Sequence, residues 1–234
     1  MITAAALCPS PPLLHPAVTG RDPVLPELRA ACAEVAGRLA RDEPELIIVI
    51  GPADATGAWD TGSRLDPSRY APGIARTGRR LLPLSLGLGA MLLDQAGYRR
   101  PGVLQAVSSD EPAEACVRLG AELAGSGRRT ALLVMGDGTA RRTLKAPGYL
   151  DPRAAAFDTT IESAVRDGEL IRLQRLDEKL ARELMVTGRP AWQVLAGALG
   201  ARQPVTEVRY CDAPFGVGYL VTYLRPPTGA DAVP

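Results

Sequence analysis

Short apolar runs alternate along the chain with segments of helical periodicity, which is the pattern of an α/β domain. The run Leu46–Ile50 is apolar throughout and rich in β-branched residues, as expected of a strand that is covered on both faces. Three further strands are predicted over the mainly apolar runs Ile2–Leu7, Val103–Val107 and Thr130–Met135. We therefore predict one domain with a central, mostly parallel or mixed β-sheet and helices on both faces.

Helical periodicity is clearest between the first two predicted strands. Leu28, Cys32, Val35 and Leu39 recur there at helical spacing, which predicts an amphipathic helix from about residue 26. This helix is long enough to cover one face of the sheet.

Two later helices have recognisable starts. The segment Ser109–Pro112 offers a capping side chain and acidic residues for a first turn, and Asp151-Pro152 offers an aspartate cap with proline at the first helical position. Shorter helices are predicted over roughly 168–175, 177–187 and 190–200.

Other segments are less regular. Residues 81–86 are a possible strand followed by a short helix over 89–96, and residues 53–79 are predicted to form a long loop. Near the end of the chain, 205–211 and 217–224 are predicted strands of a hairpin. We place the domain over residues 1–225 and expect 226–234 to be a disordered tail.

Composition and charge narrow the possible partners. The chain has 234 residues with 27 basic and 26 acidic side chains, so no basic excess favours a nucleic acid or an acidic membrane. No apolar stretch approaches the length of a membrane span, and the N-terminal run lacks the basic residues of a signal peptide. The four cysteines are far apart, and we expect a cytoplasmic protein that keeps them reduced.

A single histidine, His15, is the most restrictive feature of the composition. A metal centre that needs two or three imidazoles cannot be built from one such chain. Between Leu14 and Pro16, His15 is interpreted as a packed or surface residue rather than a catalytic one.

Candidate chemistry lies where the predicted strands end, because ligands of open α/β sheets bind beyond the carboxyl ends of the strands. The candidate ligand-binding residues there are Ser10, Asp54, Asp137, Thr139 and Arg141. A purely structural interpretation stays open, since proline and glycine end strands in all kinds of proteins.

The turn Gly136–Arg142 is the most informative of these strand ends. Its two glycines could let backbone N–H groups form an anion nest, and Arg141, Arg142 and Lys145 could add charge-assisted bonds to a carboxylate or phosphate. The arginines could equally be solvated surface residues. A thiolate nucleophile at Cys8 or Cys211 is a weaker possibility.

The order of motifs resembles that of the class III extradiol ring-cleavage dioxygenases of the subunit-B (LigB) type, whose superfamily includes the Memo-like proteins. The resemblance covers most of the chain and depends on the order of the motifs more than on any one of them. The segments that carry it are Cys8–Leu14, Gly136–Ala140, Phe157-Asp158, the helix break at Gly168, Gly188–Pro190 before the helix 192–199, and Val217–Tyr219.

This resemblance implies an Fe(II) ion held by two histidines and one glutamate, with a further histidine as acid and base. The chain departs from that pattern at the corresponding positions. Ser10 replaces the first ligand, Gly51–Asp54 contains no histidine, Ala140 replaces the acid–base histidine, and Glu183 is only a doubtful counterpart of the glutamate. We therefore expect no iron cofactor and no metal ligands in this chain.

Three hypotheses follow from these departures. The first is a LigB-like protein that has lost its iron site and binds a small molecule or another protein. The second is a ring-cleavage dioxygenase or other oxidoreductase of altered chemistry, acting on an aromatic or small anionic substrate. The third is a subunit that functions in a homo-oligomer or with a partner subunit.

Overall fold

A computed structural model describes residues 1–20, 24–60, 62–71, 81–98 and 102–227. The strands are β1 (Ile2–Cys8), β2 (Leu46–Ala53), β3 (Gly57–Trp59), β4 (Val103–Ser108), β5 (Thr130–Met135), β6 (Val205–Asp212) and β7 (Tyr219–Arg225). The α-helices are α1 (Pro16–Thr19), α2 (Pro26–Arg41), α3 (Leu84–Gln95), α4 (Ala113–Ala124), α5 (Ala154–Arg166), α6 (Glu178–Glu183) and α7 (Arg189–Leu199). Short 3-10 helices occupy Pro12–Leu14, Pro67–Arg69 and Leu170–Arg175.

The seven strands form one mixed sheet in the order β3-β4-β2-β5-β1-β7-β6. β1, β2, β4 and β5 are parallel, whereas β3 and β7 pair antiparallel with their neighbours β4 and β1. β6 and β7 form the predicted antiparallel hairpin. The predicted α/β class, with a mixed sheet between helices, is confirmed.

The alternation of side chains along β2 separates two hydrophobic cores. Ile48 and Ile50 face the core that α4, α5 and α7 cover, and Ile47 and Val49 face the core that α2 and α3 cover. Because both faces are buried, the strand is apolar at every position from Leu46 to Ile50.

Two glycines bring α4 and α7 unusually close. A Cβ atom on Gly120 would lie 2.0 Å from the Val194 carbonyl oxygen, and one on Gly197 would lie 2.2 Å from the Val117 carbonyl oxygen. The backbones therefore touch where any side chain would force them apart. This packing holds the second half of α7 against α4.

Several predicted elements need correction. The strand predicted over 81–86 is wrong, because α3 begins at Leu84 and is buried around most of its circumference. The predicted loop over 53–79 contains the end of β2, β3 and a 3-10 helix, while residues 61 and 72–80 lie outside the described part. The predicted tail lies outside it from residue 228 onward.

The predicted helix starts also differ in detail. The N-cap of α4 is Pro112, which makes no side-chain capping bond, so Ser109 and Asp110 are not its caps. α5 begins at Ala154, and the Asp151 carboxylate instead accepts the N–H of Arg153 at 2.9 Å. Among the described residues, no helix combines the length and hydrophobicity that crossing a bilayer requires.

Candidate functional site

The strand directions bring several strand ends to one edge of the sheet. β1, β2, β4 and β5 finish there because they are parallel, and β7 starts there because Leu7 of β1 pairs with Thr222 in the antiparallel sense. β6 finishes at the same edge, where Asp212 pairs with Tyr219. We call this the carboxyl edge of the sheet.

A cavity of about 580 Å³ opens at the carboxyl edge. Its walls come from Pro11–Leu13 after β1, from Asp137 and Ala140 after β5, from residues 185–187 before α7, and from the β6–β7 connection at Phe215. Most of these side chains are apolar, and the volume is in the range of small-molecule sites.

One of the acidic residues that line this cavity is Asp137, which lies two residues after the end of β5. Its Oδ1 accepts the Ser10 backbone N–H at 2.6 Å, its own N–H donates to Thr187 Oγ1 at 3.0 Å, and its carbonyl accepts the Gly188 N–H at 2.9 Å. Burial raises the pKa of the Asp137 carboxyl to about 6, although the Ser10 N–H opposes this shift. Asp137 can therefore exchange a proton near neutral pH.

Tyr219, the first residue of β7, also lines the cavity and is 4% exposed. Burial, and then the negative charge of Asp137, raise the pKa of the Tyr219 phenol well above its usual range. The phenol therefore stays protonated and can donate a hydrogen bond to a ligand. Tyr219 is not among the ligand-binding residues predicted from the sequence.

A contact between two glycines positions Asp137. A Cβ atom on Gly136 would lie 2.4 Å from the Gly188 Cα, and one on Gly188 would lie 2.2 Å from the Trp192 ring. The end of β5 and the start of α7 can approach this closely only without those side chains. The two hydrogen bonds that the Asp137 backbone makes, one with the Thr187 hydroxyl and one with the Gly188 N–H, depend on that approach.

Asp158 on α5 has a different role, because three donors occupy its carboxylate. Its Oδ1 accepts the Thr139 N–H at 2.9 Å, and its Oδ2 accepts Thr139 Oγ1 at 2.8 Å and Arg142 Nη1 at 2.9 Å. Asp158 therefore anchors the turn after β5 to α5.

The anion nest predicted for this turn is not formed, because most of its backbone N–H groups, including those of both glycines, are bonded within the protein. The acceptors are Thr187 Oγ1 for Asp137, the Gly218 carbonyl for Gly138, Asp158 for Thr139, the Leu184 carbonyl for Ala140 and the Gly216 carbonyl for Arg142. Arg142 is ion-paired with Asp158 as well. The turn holds the walls of the cavity together instead of presenting donors to an anion.

The five predicted ligand residues separate in the structure. Ser10 and Asp137 meet beside the cavity, whereas Thr139 is fully buried on Asp158. Arg141 lies beside Gly148, and its buried Nε has no hydrogen-bond partner among the described residues. Asp54 is exposed after β2 and is not among the cavity-lining residues.

Arg189, at the start of α7, is a buried cation that lines the cavity and is 2% exposed. Its guanidinium donates to the Ser109 carbonyl at 2.7 Å, the Glu111 carbonyl at 2.9 Å and Gln193 Oε1 at 2.9 Å. These bonds fix α7 to the segment after β4. A sequence search for strand ends does not find this residue, because it lies on a helix.

The other reactive side chains are not activated. His15 Nδ1 accepts the Ala17 N–H at 3.2 Å and caps α1. A hydrogen bond with Cys32, and burial, raise the pKa of the Cys8 thiol. Burial, with Glu162 nearby, raises the pKa of the Cys211 thiol to about 11. The possible thiolate nucleophiles therefore lack support, since a raised pKa disfavours the thiolate.

The residues present do not fit the iron centre that the resemblance implies. Ser10 and Ala140 stand at two of its positions, and Glu183 is exposed in an ion pair with Arg153 at 2.8 Å. Across the described ranges, no three His, Cys, Asp or Glu side chains are grouped so that they could hold a metal ion. The donor set thus differs from a triad of two histidines and a carboxylate.

No protein-family model matches the chain, and no curated protein matches it. Among solved structures, the chain is similar to uncharacterized protein JW3007 from Escherichia coli K12, with a TM-score of 0.60 and 16% sequence identity. The match covers 94% of this chain and 99% of that chain. At this identity the likeness concerns the fold alone.

Proposed function

We propose that this chain is a LigB-like protein that has lost its iron site and binds a small, largely apolar molecule in the carboxyl-edge cavity. The observation that carries the proposal is Asp137, a carboxylate with no ion-pair partner among the described residues, set in the largely apolar wall of a cavity of about 580 Å³. Such a combination of apolar walls and few polar groups is typical of small-molecule sites. The order of the sequence motifs supports the LigB-like relationship.

The loss of the iron site is supported by the chemistry of the substituted residues. A serine hydroxyl is a poor neutral ligand for Fe(II), and alanine can neither ligate a metal nor carry a proton. Ser10 uses its backbone N–H to hold Asp137, and Ala140 forms part of the apolar wall. In the proposed binding protein, Ser10 therefore positions Asp137 and Ala140 lines the cavity.

Binding can be tested with naphthylmethanol as a neutral probe, measured by titration calorimetry. The Ala140→Phe variant adds a ring inside the cavity and should weaken binding at least about tenfold, because the probe and the ring compete for the same space. The matched control, Ala156→Phe, adds the same ring at an exposed position of α5 and should bind like the unchanged protein. Equal binding by both variants would contradict the proposal.

Iron loading tests the other half of the proposal. The purified protein is incubated with Fe(II) without oxygen, desalted, and analysed for metal and for catechol-dependent oxygen uptake. We expect substoichiometric iron and no uptake. One firmly bound iron per chain with catechol-dependent uptake would show that the iron site is retained.

A second candidate function is an enzyme of altered chemistry, a ring-cleavage or other oxidoreductase acting on an aromatic or small anionic substrate. The observation that favours catalysis is the pKa of Asp137, which is raised to about 6 and suits proton transfer near neutral pH. Asp137→Ala should then abolish any turnover that is found while the protein stays folded. A homo-oligomer or partner subunit stays a prediction, which co-purification from the native host tests.

A further inference from the structure

Three carboxylates line the cavity, and two of them already have an arginine nearby. Asp110 is ion-paired with Arg182 at 3.1 Å, and Glu178 lies 3.8 Å from Arg189. Asp137 differs from both, since burial and the Ser10 N–H are the influences that act on its carboxyl group. No lysine or arginine of the described residues is ion-paired with Asp137.

Both arginines of the cavity already have partners, and the buried one, Arg189, has little capacity left for an anionic ligand. Arg189 donates to two carbonyls and a glutamine oxygen, and Arg182 is bonded to Asp110. An anion would have to compete with these partners and would also approach Asp137. A cationic ligand would instead supply the positive counter-charge that the Asp137 carboxylate lacks.

The remaining walls suit an apolar group next to that charge. Leu13, Pro147, Met185, Phe215 and Val217 line the cavity. Met185 is 43% exposed and Phe215 is 48% exposed, so these two line the opening and leave a route for entry. A ligand with a charged end and an apolar body matches this distribution.

We infer that the cavity selects a primary amine in its ammonium form, carried on an apolar or aromatic body, with the ammonium bonded to the Asp137 carboxylate. This inference rests on the proposed binding function and specifies its ligand class. An ammonium group has three donors and no acceptor, so it satisfies a carboxylate that holds a single N–H donor. The body lies against the apolar wall.

Three probes with the same ring system test the inference: naphthylmethylamine, naphthylmethanol and naphthoate. Their dissociation constants are measured by titration calorimetry at about pH 8, where Asp137 is ionised and the amine is charged. We expect the amine to bind about tenfold more tightly than the alcohol, and naphthoate to bind most weakly. Binding of the neutral alcohol measures the contribution of the cavity, and the difference between the amine and the alcohol measures the contribution of the positive charge.

Asp137→Asn keeps an oxygen for the Ser10 N–H and removes the charge, so it should reduce the preference for the amine over the alcohol to about twofold or less. Glu183→Gln removes an exposed carboxylate outside the cavity and should keep the full preference. Circular dichroism of each variant verifies folding.

The outcomes separate the two proposals. If the alcohol binds but the amine binds no better, or if naphthoate binds best, the amine inference is overturned and the binding function stands. An amine preference that survives in Asp137→Asn would also overturn the inference. If none of the three probes binds the folded protein, the proposed binding function fails and the inference fails with it.

Discussion

Asp137 lies in the turn after β5 and Asp158 contacts the same turn from α5, but the two carboxylates differ in the number of hydrogen bonds that they accept. Asp158 accepts three hydrogen bonds, one of them from Arg142, and its side chain is 14% exposed. Asp137 accepts one backbone N–H and lines a cavity. Asp158 is a structural anchor that accepts three hydrogen bonds, whereas Asp137 accepts one and keeps capacity for a ligand.

The two aspartates differ in how many donors reach the carboxylate. A carboxylate has about four acceptor positions, and a buried one is stable when donors fill them. Asp137 is left short of donors, and burial raises its pKa to about 6 as a result. The energetic cost of that arrangement is what a bound cation or donor would relieve.

The largest expected effect comes from removing the anchor. Asp158→Ala should lower the free energy of unfolding by about 3 kcal/mol, because it leaves the buried Thr139 without its acceptor and Arg142 without its counter-ion. Urea denaturation followed by circular dichroism measures the change. Glu183→Gln breaks an exposed ion pair and serves as the control, which should show no measurable loss. A loss for Asp158→Ala no larger than for this control would remove the distinction between the two aspartates.

The next largest effect is an increase in the free energy of unfolding, expected when the charge of Asp137 is removed. The ordinary pKa of an aspartate is 3.8 and that of Asp137 is raised to about 6, so the folded state holds its proton more tightly than the unfolded state. Its contribution to stability is complete below about pH 4 and is lost as the pH rises through about 6. Asp137→Asn removes this titration and should raise the free energy of unfolding by about 1–3 kcal/mol at pH 8.

Urea denaturation of the unchanged protein and of Asp137→Asn from about pH 4 to about pH 8 measures this difference. The two curves should converge at the acid end and separate as the pH rises, with the variant more stable. An asparagine variant that is less stable at about pH 8 would show that the Asp137 charge stabilises the fold.

The smallest expected effect distinguishes two threonines. Thr139→Val removes one donor from Asp158 at a fully buried position and should cost about 1 kcal/mol. Thr187→Val removes the acceptor of the Asp137 N–H at an exposed position, where water can replace it, so its cost should be smaller. Equal losses of unfolding free energy in urea denaturation would contradict this distinction and indicate that the two hydrogen bonds stabilise the fold equally.

Elements with a strong local pattern were predictable. The mainly apolar runs predict β1, β2, β4 and β5, and the spacing of Leu28, Cys32, Val35 and Leu39 predicts α2, because burial imposes these patterns directly. α3 was mistaken for a strand at its start, because a helix buried on most sides has no polar face to reveal its period.

The candidate site was predictable only in part. Strand ends pointed to Ser10 and Asp137, which the fold brings together although 127 residues separate them. The same argument selected Asp54, which is exposed and does not line the cavity. Tyr219 was missed, since it lies at the start of an antiparallel strand and only the pairing of β7 with β1 places it at the carboxyl edge.

By itself, the sequence determined the α/β class, the strands with two buried faces, and the restriction to one imidazole, because these depend on composition and local periodicity. Only the tertiary structure decided which aspartate is an anchor and which lines the carboxyl-edge cavity. Asp137 and Asp158 are the same residue type near the same turn, and their difference arises from donors that distant segments supply. The number of donors at a carboxylate depends on how the chain folds back, and local sequence does not encode it.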